Sequence, residues 1–207
     1  MIEDTGQQPP TDGLDRLIQS DPTLSNAARL MIDADLLARH GRYSSVVGLA
    51  VLALEEIGKY LLKRWSSADP AFTYDRNRLH AMKQRAIATL FLTDGMRKEY
   101  KARGIDFSDL GTPEKMAGLI RAIRAGAKQE ELFAARVKGK VLEIVKWSGL
   151  YYDEDLAAKG IEPAKITEGA AREIMGLCSR AFTLLGDEGN MNIAQAVFPS
   201  LLDGAKK

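Results

Sequence analysis

Histidine and cysteine are scarce in this chain, with two of the former and one of the latter among 207 residues. A lone cysteine, Cys178, forms no internal disulfide and fits a reducing compartment. Its place in the apolar run IMGLCSRAF predicts a buried core thiol, not a nucleophile. So few soft ligands leave no donor set for zinc. The Glu-x-x-His pattern of a di-iron bundle is also missing, as are a glycine-rich phosphate loop and a Gly-x-Ser-x-Gly elbow. The acidic run YYDEDL reads as a solvated loop. No metal and no cofactor is therefore expected.

Charge of one sign is lacking too: 29 basic against 28 acidic residues give +1. That balance supplies no general drive toward nucleic acid, so any RNA contact must come from a local patch. Long apolar runs are absent. The longest, residues 46–54, includes Gly48 and is too short to span a bilayer. The N-terminal MIEDTGQQPPTDG has neither a basic nor an apolar signal region. A cytoplasmic protein without a membrane partner is the expectation.

What remains is helical pattern. Strand alternation and internal repeats are not seen, and apolar residues recur at three-four spacing. Residues 1–20, rich in Gln, Pro, Thr and Asp, read as a flexible arm. A first helix is expected at 24–40, capped by Thr23 or Ser25 and stopped by Gly41. A second, at 43–66, is apolar nearly all round as far as Leu54 and should be the central element. The short link between them makes the pair an antiparallel hairpin. A third helix is predicted at 73–102, ended by Gly104. A fourth starts at Thr112 and Pro113 and runs to Trp147, with breaks near Gly126 or Gly139. The stretch 148–166 looks irregular. Thr167 caps a fifth helix to Leu185, and a short helix or docked tail follows. The fold class is all-α.

Two stretches carry charge where apolar residues dominate. LALEEIGKYLLKRW places Glu55 in the apolar stripe of the second helix, four residues before Lys59 and in the favourable order for an ion pair. Glu56 lies about 100° round the helix and faces solvent with Lys63. A charge inside an apolar stripe must be paired, or it carries a desolvation penalty. The plain alternative is a surface ion pair. RLHAMKQ puts His80, Lys83 and Gln84 on one face of the third helix with Arg76, opposite Leu79, Met82, Ala86 and Leu90. Neutral imidazole is the form a general base requires. The plain alternative is a polar residue on a solvated face. His40, beside Gly41, reads as a helix C-terminal residue.

The segment NAARLMIDADLLARHGRYSSVVGLAVLALEEIGKYLLKRW, followed by HAMKQ, resembles the AbiV-type abortive infection proteins, a branch of the HEPN superfamily. The similarity is strongest over residues 26–83. It continues more weakly through WSGLYYDED and ITEGAAREI. Its core is Glu-Glu-x-Gly-Lys with a downstream His-x-x-Lys. The resemblance implies an up-and-down helical bundle with a HEPN-like core at 21–104 and further bundle helices and a tail at 105–207. It also implies a homodimer, with polar residues of the second and third helices meeting near its interface.

Many HEPN proteins are metal-independent endoribonucleases of antiviral or toxin systems, and AbiV-like proteins halt phage multiplication. Carried over, the site residues are Glu55, Lys59, His80 and Lys83. His80 would transfer protons, while Lys83, Arg76 and Lys59 would hold the phosphate of an RNA substrate. Glu55 would position Lys59 or the imidazole. The usual nuclease motif leaves roughly four to six residues between Arg and His; here RNRLH leaves three, placing His80 one residue too close to Arg76. A non-catalytic module that binds a phage or host protein is the alternative, and a phage product could act as trigger.

Overall fold

The computed structural model describes residues 12–68, 79–102, 104, 141–150, 154, 158 and 162–203, and helix is the only extended regular structure among them. Seven α-helices follow in chain order: α1 (Asp12–Ser20), α2 (Pro22–Arg39), α3 (Tyr43–Ala68), α4 (Leu79–Ala102), α5 (Val141–Leu150), α6 (Glu168–Leu185) and α7 (Glu188–Asp203). A 3-10 turn, Pro163–Lys165, precedes α6. The all-α expectation is met.

The first difference lies at the N-terminus. Residues 12–20, expected in a flexible arm, form α1. Leu14, Leu17 and Ile18 supply a short three-four stripe that packs against the core. Polar neighbours conceal that stripe from a composition reading. Asp21, not Thr23 or Ser25, then caps α2: its carboxylate accepts from the backbone N–H of Thr23 at 2.8 Å and of Leu24 at 3.3 Å, with Pro22 opening the helix. Gly41 stands at φ 68°, which stops α2 as expected.

Helix α3 is the axis of the bundle. It packs against α2, α4, α5 and α6, and Val46, Val47, Ala50, Val51, Ala53, Leu54, Ile57, Leu61, Leu62 and Trp65 are all buried. Two close approaches set its neighbours. At Gly58, a Cβ would lie 2.3 Å from the Lys83 carbonyl oxygen, so the backbones of α3 and α4 nearly touch there. At Gly149, a Cβ would lie 2.6 Å from the Ser44 carbonyl oxygen, while one at Gly48 would meet the Leu150 side chain at 2.5 Å. Small residues on both helices thus let α5 lie directly on α3.

Helix α6 is capped by Thr167, whose hydroxyl accepts from the Ala170 N–H at 3.3 Å, and ends at Leu185 as expected. Cys178 is fully buried, its Sγ donating to the Ala50 carbonyl at 3.0 Å. Helix α7 packs on α4 and α6. Arg180 reaches from α6 to Asp94 on α4 at 2.6 Å and covers the Phe91 ring, and Arg97 pairs with Asp187 before α7. Of the predicted fourth helix only 141–147 falls within the described residues, and α5 continues three residues further, to Leu150. The predicted breaks near Gly126 and Gly139, and most of YYDEDL, lie outside them.

Candidate functional site

The chain turns a carboxylate into the core at Glu55. The stripe Val51, Leu54, Leu62 around it is buried, and the side chain itself is only 4% exposed. Removing a carboxylate from water this fully must be offset by hydrogen bonds and counter-charge. Three groups from two other helices provide them. Lys146 of α5, 6% exposed, donates from Nζ to Glu55 Oε1 at 2.8 Å. Gln84 of α4 donates from Nε2 to the same oxygen at 3.4 Å. His80, one turn before Gln84, sets Nδ1 2.9 Å from Glu55 Oε2.

An ionised carboxylate only accepts hydrogen bonds, so the proton between Glu55 and His80 sits on Nδ1. In the neutral ring that leaves the Nε2 lone pair on the far side. The His80 side chain is 58% exposed, so the ring stands where solvent reaches it. A buried carboxylate thus holds an exposed imidazole. Burial pushes the Glu55 carboxyl up, but the Lys146 and His80 hydrogen bonds and charges outweigh it and hold it below its ordinary value.

The other expected site residues fall as follows. Lys83 lies on the α4 side that faces α3, buried, at the contact with Gly58. The expected polar face of this helix is therefore divided: His80 is exposed, whereas Lys83 and Gln84 are inside. The close helix approach at Gly58 draws them in. Lys59 does not pair with Glu55; it is exposed and donates to Glu56 Oε2 at 3.3 Å. Lys63, expected beside Glu56, reaches Asp21 at 3.4 Å instead. Arg76 lies outside the described residues. Among the described residues no cluster of His, Cys, Asp or Glu could hold a metal ion, and no helix is long and apolar enough to cross a membrane.

Lys146 is the residue the sequence reading missed. It lies in VLEIVKWSGL, the one basic residue of a mostly apolar helix that also carries Glu143, a signal akin to the one that marks Glu55. What hid it is distance along the chain, since 91 residues separate the partners. The close approach of Gly149 to Gly48 brings α5 onto α3 and so carries Lys146 to Glu55.

A cavity of about 390 Å³ lies elsewhere, lined by Asp35, Arg39, Tyr43, Glu168 and Arg172 with three smaller contributions. None of Glu55, His80 or Lys146 contributes to it. Arg39 is paired with Asp35 and Arg172 with Glu168, so its cations are already neutralised.

Neither curated proteins nor solved structures give a match to this chain. The family model HEPN_AbiV, described as AbiV, does match, and over residues 18–181 it takes in Glu55, His80, Lys83 and Lys146 alike. The chain belongs to the AbiV family of HEPN proteins.

Proposed function

We propose that this protein is an abortive-infection effector that cleaves RNA without a metal ion, using His80 as its proton-transfer group. Family membership supports a role in defence against phage. The observation that carries the chemical reading is the His80–Glu55 pair. A carboxylate buried between helices fixes one nitrogen of a ring whose other nitrogen is free to meet a substrate.

Metal-free RNA cleavage uses the neighbouring 2′-hydroxyl as nucleophile. His80 Nε2 takes the 2′-hydroxyl proton as that oxygen attacks phosphorus. The bond to the 5′ oxygen breaks, and that oxygen leaves with a proton. The products are a 2′,3′-cyclic phosphate and a 5′-hydroxyl. General base action of this kind contributes roughly 10²–10⁴-fold. Glu55 holds the ring in its working tautomer. Arg76, close to His80 in the chain, is the candidate to offset charge developing on the phosphate, whereas Lys83, buried against α3, would act on that charge only from a distance. Lys59, engaged with Glu56 one turn beyond Glu55, is a weaker one. A base and an acid are both needed, and one chain offers a single His80. Two copies meeting across a two-fold axis would supply both, which is the reason to expect a homodimer.

A second reading has its own support. The Glu55–Lys146 pair and Gln84 form a buried polar network of the kind that fixes helix register. In that reading the protein acts by binding a phage or host protein, and cleaves nothing.

The two are separated by mapping RNA ends in phage-challenged cells that carry wild type or His80→Ala, with folding and oligomeric state checked in both. New cyclic-phosphate or 2′/3′-phosphate ends found only with wild type are the expected result. Intact RNA in cells that wild type still protects would overturn the nuclease in favour of the binding module.

A further inference from the structure

We infer that Lys146 is a positioning residue of this site: it anchors one oxygen of the Glu55 carboxylate so that the other is fixed against the His80 ring. This rests on the reading of His80 as the functional base, although its test does not require that any RNA be cut.

The geometry divides the carboxylate between two cations with different exposure. Oε1 takes the Lys146 ammonium at 2.8 Å and the Gln84 amide at 3.4 Å, whereas Oε2 is left to His80 at 2.9 Å. A carboxylate held at one oxygen by a buried charge cannot turn freely about its last bond. The direction of Oε2 is therefore decided on the buried side of the site, away from substrate. Lys146 is 6% exposed and His80 58% exposed, so the lysine is out of reach of a polymer that meets the ring. The lysine acts on the base only through Glu55, as orienting groups act on a ligating or catalytic histidine.

The ammonium also decides the charge state of Glu55. Burial opposes ionisation there, and the hydrogen bond and charge of Lys146 are the foremost influences against it. Without that ammonium the carboxyl can take up a proton. A protonated Glu55 is able to donate to Nδ1, which would place the imidazole proton on Nε2 and occupy the nitrogen that must accept from the substrate.

The position of Lys146 on the bundle makes this assignment sturdy. Helix α5 is held to α3 by backbone contact at Gly149 and by Leu150 over Gly48, one turn from the lysine. Neither contact depends on the charge. Replacing the ammonium should therefore leave α5 in place while changing what the carboxylate receives.

The test is the tautomer of His80, read from the ring ¹⁵N signals of the full chain in long-range ¹H–¹⁵N spectra above neutral pH, with His40 as internal reference. Wild type should show His80 in the Nδ1–H form. Lys146→Met, and Lys146→Gln where the methionine variant does not fold, should lose that form while His40 stays unchanged. Lys146→Arg, which keeps the charge, should retain it. A folded Met or Gln variant with the wild-type tautomer would overturn the assignment, as would failure of both to fold, which would make Lys146 a bundle-holding residue only. A tautomer lost in Lys146→Met from a protein that cuts no RNA would sustain the positioning role and sink the nuclease alone.

Discussion

Two lysines near Glu55 show how differently one residue type behaves with burial. Lys59 is exposed and its ion pair with Glu56 lies on the surface, where such pairs are worth about 0–1 kcal/mol. Lys146 is buried against Glu55, where removing one partner strands the other charge at a cost of about 3–5 kcal/mol. Urea unfolding should therefore separate them: Lys59→Ala within about 0.5 kcal/mol of wild type, Glu55→Ala lower by about 3–5 kcal/mol. Combining Glu55→Ala with Lys146→Met should be clearly less harmful than the sum of the two single changes. Additive losses would mean that the pair contributes nothing as a pair.

Glu55 was legible in the sequence because a charge in an apolar stripe demands a partner. The partner was not, because local spacing offers Lys59 and says nothing about a helix 91 residues away. His80 was legible as one of two histidines beside a cluster of cations. That Lys83 and Gln84 turn inward was hidden, because it follows from how closely α4 approaches α3.

At the scale of elements, the motif glycine is the determining feature. Gly58 sits in Glu-Glu-x-Gly-Lys because the α4 backbone occupies the space where a side chain would begin. Gly58→Ala must push the helices apart and should lower stability by about 1–3 kcal/mol or more through overpacking. It should also lengthen the His80–Glu55 contact. Gly176, exposed on α6 with nothing near its missing Cβ, makes the control. Gly176→Ala should raise stability by about 0.5–1 kcal/mol, since alanine is the better helix former. Thermal unfolding of the two variants tests both signs. Helix existence and most ends were readable from caps and glycines, as Gly41 and Thr167 show. The α1 stripe was too short to stand out from its polar neighbours, and the crossing of Gly48 with Gly149 involves two segments that no periodicity connects.

For the whole molecule, pH acts through carboxylates held below their ordinary values. Burial of Glu55 is outweighed by Lys146 and His80, and that of Asp94 by Lys98 and Arg180. A carboxyl whose folded-state value is depressed adds stability above its unfolded value, here 4.5 for Glu55 and 3.8 for Asp94. That stability is lost as pH falls through the lower folded-state values. Urea midpoints should stay level above about pH 5 and decline below it, and Asp94→Asn should make the decline shallower. A decline of unchanged steepness would assign acid sensitivity to other groups. Asp94 matters beyond its own charge, because it ties α4 to α6 through Arg180 while Arg97 ties α4 to the start of α7.

The order in which α3, α4 and α5 are made has a consequence for a protein whose activity would harm its own cell. Glu55 and His80 leave the ribosome together, while Lys146 is still dozens of codons away. Under the positioning role assigned to Lys146, a nascent chain holds the base and its carboxylate without the anchor that aligns them. Chains abandoned before α5 is made would then be harmless, and the effector would become competent only once α5 has been synthesised and folded back onto the axis helix.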